Sequence, residues 1–256
     1  MREHYTAYGV YDRGMGDPAR TLALLWRHEV PLPARRGPRP RFSVDDVVDA
    51  ATALADADGL EALTMRSVAE RLGVSAMGLY SYVPGKDELL DLMLDAAHLA
   101  MPRPPWRGGQ GWRERVAAVA DANRALFAAH PWAAWVSSAR PPLGPGTTAK
   151  YDHELAAFDG TGLADVELDA ALTFVLGFVR GVARAGESEP EQDAAWWAES
   201  GPLLAQVLDV DRYPRAVRVG AAAGEAQGAA YDPGAAYRFG IERVLDGLEA
   251  LVARGS

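Results

Sequence analysis

The chain has 256 residues, 49% of them hydrophobic, enough for one or two domains with a buried core. A formal net charge of −9 excludes a protein that coats nucleic acid over its whole surface, and the absence of cysteine excludes disulfides, thiolate metal sites and cysteine nucleophiles. No stretch of about 18 apolar residues is present, so no membrane helix is expected. The N-terminus carries no apolar run bounded by a cleavage signal, and the cytoplasm is the expected location.

Charge is unevenly spread. Residues 1–41 hold eight basic and four acidic side chains, and residues 62–86 hold Arg66, Arg71 and Lys86 against Glu70 alone. Residues 1–42 read as a flexible Arg/Pro-rich extension, broken by Gly9, Gly14, Gly16, Pro18, Pro31, Pro33, Gly37, Pro38 and Pro40. Within it, Leu22 to Trp26 is long enough for one or two helical turns. Arg35, Arg36, Arg39 and Arg41 stand among helix-resisting Gly and Pro.

Helical periodicity begins at Ser43, with Val44, Val47, Val48, Ala51, Leu54 and Ala55 on one face. Ser43 and Asp46 are spaced as a capping pair, and Gly59 is placed to end the helix in a left-handed conformation. Two short helices follow. Thr64 caps the first, which stops at Gly73; Ser75 caps the second, which ends before Pro84-Gly85. A longer helix starts near Lys86 and is broken by Pro102, Pro104 and Pro105. Beyond it, helices are expected over about 111–129, 131–137, 147–159, 165–185, 190–208 and 234–253. Residues 221–232, rich in Ala and Gly, read as a loop. Nothing alternates at period two. The fold class is all-α, with a domain of residues 43–102 ahead of a larger helical domain of residues 103–256.

The stretch LTMRSVAERLGVSAMGLYSYVPGK, residues 63–86, is the most informative. Ala69, Gly73 and Leu79 are spaced as a helix-turn-helix requires: a small residue at the crossing, Gly at the turn, an apolar anchor on the second helix. The same spacing also fits an ordinary helical hairpin. In a DNA-reading motif spanning about 64–83, the outward residues of the second helix are Ser75, Ala76, Met77, Gly78, Ser81 and Tyr82.

The string LGVS-x-x-x-LY-x-Y-V-x-x-K, within a segment from about Phe42 to Met101, resembles the TetR family of bacterial transcriptional repressors. The resemblance implies a helix-turn-helix DNA-binding domain and a helical domain that binds an effector and forms a homodimer. It places Thr64, Tyr80, Tyr82 and Lys86 against phosphates or sugars, and Arg66 at a base edge or phosphate. HPWAAWV and FGIERVLDGLEALV look like the tetracycline-repressor-like, antibiotic-pathway branch. Ala76, Met77 and Gly78 depart from the pattern: they offer no bidentate hydrogen bond, though Ala76 and Met77 suit thymine methyl groups. The arginines of residues 35–41 are either a minor-groove arm or a solvated tail.

In the larger domain, aromatic side chains are mostly ordinary core, with a subset expected around an apolar effector cavity. The candidates are Phe127, Trp132, Trp135, Phe158, Phe174 and Phe178, with Asn123, Arg180 and Arg184 as polar anchors. The metal-chelating histidines of the tetracycline repressor fall near Pro102 and Ser137 here, so no metal or other cofactor is expected. No catalytic motif is present among the five histidines or the glycines, and an enzyme is not expected. The expected function is a repressor released from double-stranded operator DNA by an apolar or aromatic small molecule. The alternative is a helical small-molecule-binding or sequestering protein that does not regulate DNA.

Overall fold

The computed structural model describes residues 17–30, 41–136, 140–186 and 190–255. Among them every regular element is helical: α1 (Pro18–Leu25), α2 (Val44–Ala62), α3 (Met65–Leu72), α4 (Ala76–Leu79), α5 (Lys86–Ala100), α6 (Trp112–Ala129), α7 (Trp132–Trp135), α8 (Pro145–Leu155) with a 3-10 turn Ala156–Phe158, α9 (Asp165–Ala185), α10 (Pro190–Val207), α11 (Pro214–Gln227) and α12 (Pro233–Gly255).

Local signals account for most helix starts. Ser43 Oγ accepts from the Asp46 amide while the Asp46 carboxylate accepts from the Ser43 amide, closing a capping box on α2. Thr64 and Ser67 do the same for α3. Gly59 interrupts α2 as expected, but at φ 78 and ψ 173, the extended positive-φ region open essentially to glycine alone, rather than the left-handed helical region.

Three expectations are corrected. Residues 17–30 are not a flexible tail: Asp17 caps α1, which buries Leu24 and Leu25 against α5. Trp26 Nε1 donates to the Leu143 carbonyl at 2.7 Å, and Arg27 pairs with Asp45 of α2. Residues 221–227 are helix, not loop, because Ala is the strongest helix former and Pro214 and Gly228 mark the two ends of α11. The second motif helix is only four residues long; residues 80–82 continue it as a turn, with Tyr82 donating to the Leu79 carbonyl at 2.9 Å.

Helix α5 is the spine. It packs on α1 and α2 on one side and most extensively on α8 on the other. Its Asp95 is buried and accepts from the Gly146 and Thr147 amides at 3.2 and 2.7 Å, capping α8, which has no side-chain cap of its own. Helices α6, α9 and α12 pack together into the main body. Leu172, Val179, Ile241, Leu245 and Leu248 are buried within that body, and Leu176 is partly covered. These residues therefore belong to the core of the protomer. The large apolar side chains left exposed on α9 and α12 are Val166, Phe174 and Phe239.

Candidate DNA interface and effector cavity

Helices α3 and α4 meet at Gly73, which adopts φ 66 and ψ 36; a Cβ in this left-handed conformation is strained. The Val74 amide donates to the Ala69 carbonyl at 3.0 Å, closing the turn. Leu79 and Val83 are fully buried and anchor α4 from beneath. Ser75, Ala76, Met77, Tyr80 and Ser81 are exposed together, Met77 by 81%, while Gly78 and Tyr82 are half-buried. An exposed methionine on a tight helical turn finds no cover within the protomer.

The polar candidates divide. Ser75 Oγ caps α4 by accepting from the Gly78 amide at 3.1 Å. Thr64 spends its hydroxyl in the capping box. Arg66 is exposed and its Nε donates to Glu70 Oε1 at 2.8 Å, a pairing that a phosphate can displace at little cost because exposed pairs contribute about 0–1 kcal/mol. Lys86 is half-buried, and its Nζ lies 3.4 Å from the Leu60 carbonyl beyond the Gly59 break. Arg41 is exposed and stacks over Phe42. Arg35, Arg36 and Arg39 lie outside the described residues.

A cavity of about 880 Å³ opens where α2 meets the body, a volume in the range of small-molecule sites. Its lining includes Leu60 of α2, Phe127 of α6, Trp132 and Trp135 of α7, and Val182 of α9. Three of the nine effector candidates, Phe127, Trp132 and Trp135, thus share one wall. Asp56 of α2 also lines it, and its Oδ1 lies 2.8 Å from His130 Nδ1 and accepts from Trp132 Nε1 at 2.7 Å. One carboxylate oxygen therefore ties the DNA-reading end of the molecule to the cavity wall. Sequence reasoning missed Asp56, since its partners lie 74 and 76 positions away.

The other six candidates lie elsewhere. Arg184 stacks over Trp135 and donates from Nε to the Ala134 carbonyl at 2.6 Å, fixing that wall from behind. Phe158 is fully buried core. Phe178 stacks on Tyr237 beside Gly240, where a Cβ would come within 2.3 Å of its ring. Phe174 faces outward and does not line this cavity. The reason is register: on α9 the inward stripe is Ala171, Leu172, Val175 and Val179, and Phe174 falls between its turns.

Asn123 belongs to a buried polar cluster. Its Nδ2 donates to the Val119 carbonyl at 2.9 Å and to Glu154 Oε1 at 2.5 Å, while Lys150 Nζ donates to Glu154 Oε2 at 2.7 Å. Lys150 and Glu154 are spaced i, i+4, a legible signal that sequence reasoning passed over. Burial pushes the Lys150 ammonium down in pKa, against the attraction of Glu154. Nearby, His98 Nδ1 lies 2.9 Å from Thr147 Oγ1. Among the described residues no group of acidic and histidine side chains is arranged to hold a metal ion.

Burial pushes the His98 ring down to about 3, with the charges of Lys150, Arg180 and Arg103 adding to the effect. The unfolded chain therefore takes up a proton near pH 6.5 that the folded protein refuses until about pH 3. Stability contributed by the neutral ring is complete above 6.5 and is lost as pH falls toward 3. Between pH 7 and pH 5 the wild type should lose about 2 kcal/mol more than His98→Gln, by linkage over that interval. Urea unfolding at both pH values checks this; parallel losses would show that His98 is already charged in the folded state.

A helix-turn-helix with an exposed apolar reading surface, carried on an all-helical body with a ligand-sized cavity at the junction, defines a DNA-binding regulator controlled by a small molecule. Residues 47–93 match the bacterial regulatory proteins, tetR family, and residues 104–252 match the tetracyclin repressor-like, C-terminal domain. The HTH-type transcriptional repressor DrrR1 of Streptomyces coeruleorubidus is 42% identical over 94% of this chain and 89% of its own length. An HTH-type transcriptional regulator of Saccharopolyspora erythraea is 36% identical over 61% of this chain and 66% of its own. The crystal structure of ActR from Streptomyces coelicolor in complex with actinorhodin superposes with a TM-score of 0.70 at 28% identity, covering 82% of this chain and 96% of that one. The chain belongs to the TetR family, whose members bind operator DNA, usually as homodimers. It is a transcriptional regulator and not an enzyme. Among the described residues no helix is long and apolar enough to cross a membrane.

Proposed function

We propose that this protein is a homodimeric repressor that leaves its operator when an apolar or aromatic effector fills the cavity between α2, α6, α7 and α9. The carrying observation is the Asp56 bridge. A ligand inserted against Trp132 competes with the packing that holds Asp56 to Trp132 and His130, so it acts on α2 directly. Helix α2 packs on α3 and α5, and moving it re-aims α4. Effector binding then favours a spacing of the two reading heads that no longer matches successive major grooves. ActR, solved in complex with actinorhodin, supports the reading that a body of this kind takes a small molecule.

On DNA, Ala76 and Met77 make apolar contact with thymine methyl groups, while Tyr80, Tyr82, Thr64 and Arg66 hold the backbone. Arg35, Arg36 and Arg39 add minor-groove contacts. The domain limits follow the two roles, with residues 43–102 reading DNA and residues 103–256 binding effector and partner. The cytoplasm is the compartment this function requires.

A mobility-shift assay with the DNA flanking the gene tests the reading. The wild type should retard one palindromic fragment, with affinity falling steeply as salt rises because phosphate contacts release counterions. Met77→Glu should weaken binding at least a hundredfold while leaving the melting temperature unchanged, because the side chain is solvent-exposed. Asp56→Ala should weaken it without any effector present. Equal retardation by wild type and Met77→Glu would remove α4 from the interface, whereas retardation of no fragment by the wild type would favour a sequestering protein that does not read DNA.

A further inference from the structure

Three buried side-chain atoms among the described residues lack a hydrogen-bond partner: Arg27 Nε, Trp106 Nε1 and Arg180 Nε. All three are N–H donors. The unmet need of the buried interior is therefore for acceptors.

Two of the three surround the Lys150 cluster. Trp106 lines a second cavity of about 180 Å³ together with Arg103, Lys150, His153 and Glu154. Its ring stacks on His153 at 4.6 Å. Arg180 is near enough to depress both His98 and Lys150 electrostatically, and its guanidinium lies 5.8 Å from the centroid of Phe127, which lines the large cavity. The two cavities follow one another along α6. Val119 and Ala122 line the smaller, Arg124 and Phe127 the larger, and the buried Asn123 stands between them.

Charge in this region does not balance. Glu154 answers Lys150, and His98 is held neutral. Among the described residues, Arg180 has only the face of Phe127. Burial, with the nearby charge of Arg184, lowers its pKa to about 10, which still leaves it charged at neutral pH. Its Nε is buried without a hydrogen-bond partner, and a buried donor left unpaired is costly. An aliphatic side chain would stabilise the ligand-free body, so the cation is explained by a partner that arrives from outside.

We infer that the interior between Trp106, Lys150 and Arg180 receives the anionic, acceptor-bearing end of the effector, so that this protein responds to aromatic acids rather than to neutral or cationic aromatics. The inference rests on the proposed reading of the body as an effector-binding domain. The acid group would accept from Arg180 and Trp106 Nε1 while the aromatic part lies against Phe127 and the walls of the larger cavity. Such charge-assisted bonds in a water-poor interior carry much of the selectivity between an acid and its neutral counterpart.

A matched pair of fluorescent probes tests this on the full-length protein: 8-anilinonaphthalene-1-sulfonate and N-phenyl-1-naphthylamine, which share one aromatic skeleton and differ by the sulfonate. The wild type should bind the sulfonate at least tenfold more tightly. Arg180→Met should reduce sulfonate affinity at least tenfold and leave the neutral probe within twofold, while raising the melting temperature of the ligand-free protein. Trp106→Phe should weaken the sulfonate several-fold and supplies the comparison if Arg180→Met does not fold. Equal affinity of the two probes for the wild type, or parallel losses of both in the variants, would overturn the anion preference and leave the effector-binding reading standing. Absence of binding by either probe would overturn both.

Discussion

Replacing Glu154 by Met should destabilise the protein by about 3–5 kcal/mol, the cost of stripping one partner from a buried ion pair. At about 2–4 °C per kcal/mol for a chain of this size, the melting temperature should fall by roughly 10 °C. The reason lies in the packing. Glu154 and Lys150 are both buried, and Glu154 also holds Asn123 across from α6. Removing the carboxylate strands an ammonium and an amide together. The sign of the pH dependence follows from the ammonium. Its folded pKa is already pushed down by burial, and without Glu154 nothing opposes that push. The stranded charge is then expensive at pH 7 and cheap near pH 10, where the unfolded chain also begins to lose the proton, so the deficit should shrink as pH rises. Lys150→Met combined with Glu154→Met should recover most of the loss, because apolar replacements of a buried pair are often neutral or stabilising. Thermal melts of the single and double variants at pH 7 and pH 10 measure all four quantities. A single-variant loss below 1 kcal/mol would mean that water reaches the pair.

Converting Phe174 and Phe239 together to Glu should yield a monomer at micromolar concentration and reduce operator affinity by a factor of about 10²–10⁴, the usual gain from linking two half-site contacts. Phe174 is 56% exposed and Phe239 68%, large apolar surfaces on two long body helices. On α9 the exposed line through Val166, Ala170, Phe174, Gly177 and Gly181 carries no charge, and a Cβ added at either glycine would meet open space. A stripe of this kind lets a second helix approach closely. About a two-fold axis each residue appears twice, so two substitutions place four carboxylates in one seam. Light scattering gives the mass and the mobility-shift assay gives the affinity. A dimer of unchanged stability would move the interface elsewhere, with α10 as the next place to look, because Trp196, Leu203 and Val207 are also exposed there.

Much of this architecture was legible from local chemistry. Capping residues at Ser43, Thr64 and Ser75, glycines at 59 and 73, and apolar periodicity located the helices of the DNA-reading head, since each signal acts within one or two helical turns. The same locality explains the failures. The turn over residues 80–82 and the helix over 221–227 depart from the local expectation because weak local preferences leave the outcome to their surroundings. Residues 17–30 looked loose because their apolar side chains are few, and only the surface of α5 completes their burial.

Which helices form, where the reading motif lies and which family the chain belongs to were determined by the sequence itself, through spacings of three and four residues that any helix must obey. Tertiary structure alone decided which aromatic side chains meet around a cavity. Phe127, Trp132 and Trp135 line it, Phe158 fills the core and Phe174 faces out, because the rotation of each helix against its neighbours is set by packing across the whole body. It also decided that Asp56 bridges the reading head to that cavity and that Arg180, among the described residues, is left without a counter-charge. Both depend on side chains brought together from distant positions, and no pattern within a single helix records such a meeting.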